Sequence, residues 1–236
     1  MYVATSRPGS ALQIAVENQH EDIVQYLLSN GTQVLPTHVK SVVLSRSKSA
    51  IQLLLDYGWP INAPLGWSDP PLLAYATDDY DLTAWLLSSD ADPNASCALN
   101  RTPLSAAVQY SSFEVIKLLF AHGGNAQQGQ LLHYAVWRKQ TDRLAVMKYL
   151  VQQGAEVNQM MYYNDRESFV QREPFGIGTP LHDAAAAGDL EVINLLLGCG
   201  ADVLARDTRG RLAYERAQAN GNTIAARLLQ SLIAGS

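Results

Sequence analysis

The 236-residue chain has little cysteine and no long hydrophobic run: only Cys97 and Cys199 carry thiols, and no apolar stretch reaches 18 residues. Two lone thiols exclude a fold held by a disulfide framework, and the missing run excludes a membrane-spanning helix. A charged-then-apolar leader is not legible at the start either. The expectation is a reducing intracellular compartment, cytosol or nucleus. Charge of one sign is also scarce, since 17 Lys and Arg stand against 22 Asp and Glu, a net charge of −5. That balance argues against a nucleic-acid or anionic-membrane surface.

Signatures of chemistry are missing as well. The two cysteines have no neighbours at zinc-ligand spacing, so no metal site is expected. The segment GCGAD lacks the lysine and preceding strand of a phosphate loop, and no Gly-x-Ser-x-Gly elbow is present. Asp78, Asp79 and Asp81 cluster around one turn, yet the twelve-residue calcium-loop pattern is absent. Neither a catalytic residue nor a cofactor is therefore expected.

What the chain does have is self-similarity. Residues 179–210 read TPLHDAAAAGDLEVINLLLGCGADVLARDTRG, and weaker copies recur along most of the sequence. Thr179 suits a helix N-cap, Pro180 the first helical position, and Leu181 the core. Gly188 and Asp189 make a turn, Val192, Ile193, Leu195, Leu196 and Leu197 supply a broad apolar face, and Gly200 fits a left-handed cap. Aligned on Thr179, the copies start at Ser10, Thr37, Pro70, Thr102, Gln130, Thr179 and Leu212. The third is one residue short at its inter-helix turn, and the fifth carries about three extra there on the same template. The last, spanning 212–231, is short and polar, as a capping unit should be.

A TPLH-like start recurring at about 33 residues resembles the ankyrin repeat family, in which a β-turn precedes two antiparallel helices. The resemblance implies an all-α solenoid of about seven repeats over residues 10–230 and a single repeat domain covering 1–236. On such a stack Cys97 and Cys199 lie about three repeats apart, roughly 30 Å at 8–10 Å per packed layer. The family role of His133 and His182, at the TPLH histidine position, is a hydrogen bond tying neighbouring loops. Asp183 beside His182 does not form a dyad with it, because adjacent residues on a helix point about 100° apart. Asn62, Asn94 and Asn158 match the family's loop asparagine, a position that some asparaginyl hydroxylases modify.

Function is expected where the pattern breaks. Successive starts are 27, 33, 32, 28, 49 and 33 residues apart, so residues 159–178, QMMYYNDRESFVQREPFGIG, form a long inserted loop. Loops beyond about 12–15 residues are usually functional or disordered. This one is too apolar for an idle linker, which leaves a lid over the groove or a cover for the solenoid flank. In the family, side chains just after the TPLH-like motif line a concave groove, and the loops act as fingertips beside it. The resemblance thus nominates Tyr110, Tyr134, Trp137 and Arg138 in the groove, Tyr162, Tyr163 and Phe169 in the insert, and Trp67 on a fingertip. Tyr, Trp and Arg match the composition of binding hot spots. An inward-packed Trp137 is the competing reading. The function expected is a protein-binding module or scaffold whose partner is another protein. The alternative is a small-molecule binder or unusual enzyme at repeats 4–6, its pocket walled by the insert, with Tyr, Trp, Arg and His133 holding a planar or anionic metabolite.

Overall fold

Short polar residues set the helix starts. In the computed structural model, which describes residues 11–234, Ser47, Asp79, Ser112 and Asp189 each accept a hydrogen bond from the backbone N–H three residues on. Thr102 goes further: its Oγ1 accepts from the Ser105 N–H while Ser105 Oγ accepts from the Thr102 N–H. Pro103 follows at the first helical position, where its missing donor costs nothing.

These starts produce seven helix pairs among the described residues. They are α1 (Ala11–Glu17) with α2 (Glu21–Ser29), α3 (Pro36–Leu44) with α4 (Lys48–Asp56), and a 3-10 turn (Leu72–Tyr75) with α5 (Tyr80–Ser88). Then come α6 (Pro103–Tyr110) with α7 (Phe113–Ala121), and α8 (Leu131–Val136) with α9 (Arg143–Gln152). The inserted segment contributes α10 (Arg166–Arg172) and a 3-10 turn (Glu173–Phe175). Last are α11 (Pro180–Ala187) with α12 (Leu190–Gly198) and α13 (Ala213–Ala219) with α14 (Thr223–Ala234). No strand occurs among the described residues; two isolated bridges, Pro64 to Pro71 and Arg206 to Leu212, close finger loops. Ser10, nominated as the first start, lies outside the described residues.

Each first helix packs on the first helix of the next pair, in an unbroken series from α1 to α13. A single apolar core therefore runs the length of the stack, from Leu12 and Val24 through Leu104 and Ile116 to Ala217 and Leu229. Buried alanines such as Ala107, Ala135 and Ala184 keep the first helices close. Between helices the chain turns through left-handed residues: Gly188 at φ +70, and its counterparts Gln19 and Arg46. A Cβ at position 188 would also meet Asn222 Oδ1 at 2.6 Å, so glycine is required twice over there.

Irregular copies fold irregularly, for reasons of length. The missing residue in the third copy tightens its first helix into 3-10 geometry. The extra residues in the fifth copy leave α8 only six residues long and carry Arg138 inward. The segment 159–178 is not a bare loop, since α10 and a 3-10 turn lie within it.

Candidate functional site

Helix α8 and the turn after it carry three of the nominated residues, and the structure separates them. Arg138 is fully buried. Its Nε and Nη2 donate to the two oxygens of Asp142, both at 2.7 Å, and its Nη1 donates to the Val108 carbonyl at 2.9 Å. All its charge is used to cap the end of α6 and to span the enlarged turn. Arg138 is therefore corrected from a groove contact to a framework residue. Tyr134 is 6% exposed and belongs to the core cluster, so it offers little contact area. Trp137 stands edge-on to it, with ring centroids 5.6 Å apart and planes at 90°, yet keeps about a third of its surface free at 36%. That answers the competing reading of Trp137: it leans on the core without entering it. Tyr110, at the end of the neighbouring α6, is exposed.

The finger loops are fastened to one another by asparagines. Asn62 donates to the Asp90 carbonyl at 3.0 Å and accepts from the Asp92 N–H at 2.7 Å. Asn94 repeats the pattern with Gly123 and Asn125, and Asn158 with Gly200 and Asp202. Each amide spans one repeat and satisfies the carbonyl exposed by a left-handed helix end. Trp67 rides on this row: its carbonyl accepts from the Ala98 N–H at 3.0 Å while its indole is exposed.

The insert is bonded to the same row. Ser168, buried at 1% exposure, donates to the Ala98 carbonyl, and Asn164 donates to the Gln127 carbonyl at 3.3 Å. At its far end the Glu173 carbonyl accepts from Thr208 Oγ1 at 2.7 Å, and Ile177 exchanges bonds with Thr208. It thus runs from the finger ahead of α6 to the one ahead of α13. Tyr163, Val170 and Phe175 are left exposed on it, while Tyr162 and Phe169 are half-buried. An open depression of about 620 Å³ is lined by residues 156–160 and Tyr163; neither Trp137 nor Tyr134 reaches it.

The two motif histidines behave differently. His182, fully buried, accepts at Nδ1 from the Thr179 N–H at 3.2 Å and bonds the Arg211 carbonyl through Nε2 at 3.1 Å. Burial pushes its ring below the ordinary histidine range, with the Arg211 carbonyl partly opposing that shift. His133 lacks a threonine three residues before it, and Gln130 stands there instead in left-handed geometry. Its Nδ1 turns to Asp183 of the next repeat at 2.7 Å, and its Nε2 meets the Gln159 carbonyl at 3.1 Å. Asp183 also lies 3.6 Å from Arg216. The sequence excluded a dyad of Asp183 with the adjacent His182, and the histidine that Asp183 does meet stands 50 residues away.

Arg101 was missed as well. Its guanidinium sits 5.9 Å from the Tyr134 ring centroid and acts electrostatically on Asp69, Tyr75 and Tyr162. A signal did exist: Arg101 stands directly before the Thr102 start, where Gly129 and Gly178 stand in the two following copies. At Gly178 an added Cβ would meet His182 Cβ at 2.6 Å. The smaller Ser105 holds the histidine place behind Arg101, so a long side chain fits there. Asp78 and Asp79, considered for a cation, are paired with Arg46. Among the described residues no group of three or more His, Cys, Asp or Glu could hold a metal ion, and none of the helices is long and apolar enough to cross a membrane. Both cysteines are free.

Paired helices stacked on one continuous core and tied finger to finger define a helical repeat solenoid. The family description "Ankyrin repeats (3 copies)" matches residues 72–161 and "Ankyrin repeat" matches 10–38 and 178–208, more than half of the chain. The chain belongs to the ankyrin repeat family. It is similar to the ARF GTPase-activating protein Git of Drosophila melanogaster, 41% identical over 87 residues, which are 36% of this chain and 10% of that protein. A putative ankyrin repeat protein of Rickettsia bellii is 25% identical over 176 residues, 70% of this chain and 44% of that one. The chain thus spans less than half the length of either relative. The crystal structure of the human ASB11 ankyrin repeat domain superposes with a TM-score of 0.62 at 21% identity, covering 93% of this chain and 97% of that one. Ankyrin repeats are in general protein-interaction modules and typically not enzymes.

Proposed function

We propose that the chain is a non-enzymatic binding module that takes its partner protein across the concave groove of the first helices and along the finger row. The observation that carries this reading is the exposure of large aromatics at neighbouring helix ends: Tyr110, the last residue of α6, is 65% exposed, and Trp137, just after α8, is 36% exposed, and α6 packs on α8. Exposed Trp67 and Tyr163 extend the same surface onto the fingers and the insert. A pre-ordered surface loses little freedom on association, so a few aromatic anchors can dominate the affinity. The pocket alternative draws no support from the 620 Å³ depression, which is open and lacks the groove aromatics.

An affinity capture with the wild type and a Tyr110→Ala/Trp137→Ala variant tests the assignment. The variant should keep its melting temperature within a few degrees and lose the captured protein, each anchor accounting for about 2 kcal/mol or more. Equal capture by both proteins removes the groove from the reading.

A further inference from the structure

We propose that the Gly154 carbonyl and the Glu156 N–H form a receptor for one carboxamide side chain, an asparagine carried by the partner protein. This deepens the finger-row part of the reading above and rests on it.

The receptor repeats a pattern that the chain fills three times from within. At Asp90 and Asp92, at Gly123 and Asn125, and at Gly200 and Asp202, a left-handed residue closes the second helix and presents its carbonyl, and the residue two further on presents its N–H. One asparagine of the preceding finger bonds both groups each time, at distances of 2.7 to 3.0 Å. The fifth pair builds the same turn. Gly154 stands at φ +94, its N–H donates to the Val151 carbonyl at 3.0 Å, and the Ala155 N–H donates to the Leu150 carbonyl at 3.0 Å. Gly123 with Gly124, and Gly200 with Ala201, make the matching bonds. Yet the Gly154 carbonyl and the Glu156 N–H make no hydrogen bond among the described residues.

The reason lies in the finger ahead. Gln127 holds the asparagine place: its N–H donates to Asn125 Oδ1 at 3.0 Å, as the Asn94 N–H donates to Asp92 Oδ1 at 2.8 Å. One methylene longer, its exposed side chain bonds neither group. Its carbonyl accepts instead from Asn164 at 3.3 Å, so this finger is tied to the insert. The junction of the first and second pairs offers no such receptor, because Pro60 stands two residues after Gly58 and has no N–H.

The two backbone groups select a carboxamide. One edge of that side chain carries an acceptor oxygen and a donor N–H side by side, which suits an N–H and a carbonyl two residues apart. A carboxylate has acceptors only, and would set its charge against the Gly154 carbonyl and against Glu156. An ammonium has donors only, and a trans peptide bond points its N–H and carbonyl in opposite directions. The 620 Å³ depression walled by Glu156, Met160 and Tyr163 gives the carrying segment a place to lie.

Amide exchange tests the receptor without a ligand. Corrected for sequence, the Glu156 N–H should exchange about five- to tenfold faster than those of Asp92, Asn125 and Asp202, the effect of one missing hydrogen bond. Gln127→Asn should fill the receptor from within, slow Glu156 to match them and leave the melting temperature no lower. Equal protection of Glu156 in the wild type overturns the proposal. Random twelve-residue peptides displayed on phage and selected against the whole chain are the second probe. The selected peptides should share an asparagine, and twins with Asp or Ala there should bind about tenfold more weakly. Gln127→Asn should cost the same tenfold and erase the difference between twins. Peptides that tolerate Gln127→Asn but not Tyr110→Ala/Trp137→Ala overturn the receptor and leave the groove standing. An asparagine requirement that survives Tyr110→Ala/Trp137→Ala supports the receptor and removes the groove. No peptide, or none with a shared asparagine, overturns the receptor, and the affinity capture above then judges the groove by itself.

Discussion

At the residue scale, the proton state of two buried histidines couples stability to pH. His182 and His38 are both pushed below the ordinary histidine value of 6.5, in each case chiefly by burial. Above that value both states of the protein hold these rings neutral, and the stability is complete. As pH falls through 6.5 the unfolded chain takes up protons that the folded chain refuses, so stability is lost. Urea titrations at pH 7.5 and 5.5 should show the lower value at 5.5, by up to about 1.4 kcal/mol per pH unit for each histidine. A flat profile would refute the neutral, Thr179-facing ring of His182. Asp207 extends the trend into acid: burial alone would raise its carboxyl, but bonds from the Arg211 and Arg209 N–H groups and from the Arg211 side chain leave it below 3.8. The residue scale is also where sequence reading misplaced Arg138. A repeat template assigns direction by register, and the extra residues of the fifth copy shift register just there.

At the element scale, the insert acts as a brace across the fingers. Its helix α10 is seven residues long, too short to be stable alone. Its order comes from Asp165 capping the Ser168 N–H at 3.0 Å and from the Ser168 hydroxyl reaching Ala98, 70 residues away. Ser168→Ala removes that anchor, at about 1 kcal/mol for one buried hydrogen bond. Amide exchange over 162–175 should accelerate about fivefold, with the exchange of α6 and α7 unchanged. If α6 and α7 accelerate equally, the insert is part of the global folding unit and the brace description fails. Both the seven-residue helix and its distant anchor explain why RESFVQR was unreadable as a helix: neither gives a local period to detect.

At the scale of the whole molecule, neighbour-only packing makes stability a property of position along the stack. Terminal pairs have one neighbour and inner pairs have two. Leu229, 1% exposed, lies in α14, which packs on α13 in the last pair. Leu229→Ala should cost about 2–5 kcal/mol there. The loss of amide protection should begin in α13 and α14 while α6 and α8 keep theirs. Uniform loss along the chain would mean a single cooperative core instead of a one-dimensional array.

The sequence alone determined the architecture, because a repeat states its folding rules many times over. Thr-Pro starts, left-handed turn residues and helical apolar spacing at Thr102 and Thr179 are local features, and local features are readable. It also determined which segments depart from the pattern. The tertiary structure decided what those departures do: that Arg138 faces inward, that His133 pairs with Asp183, and that the insert is bonded to the finger row. Those outcomes depend on groups 30 to 70 residues apart meeting in space. No period or motif encodes such meetings, since they are fixed only when neighbouring repeats close on one another.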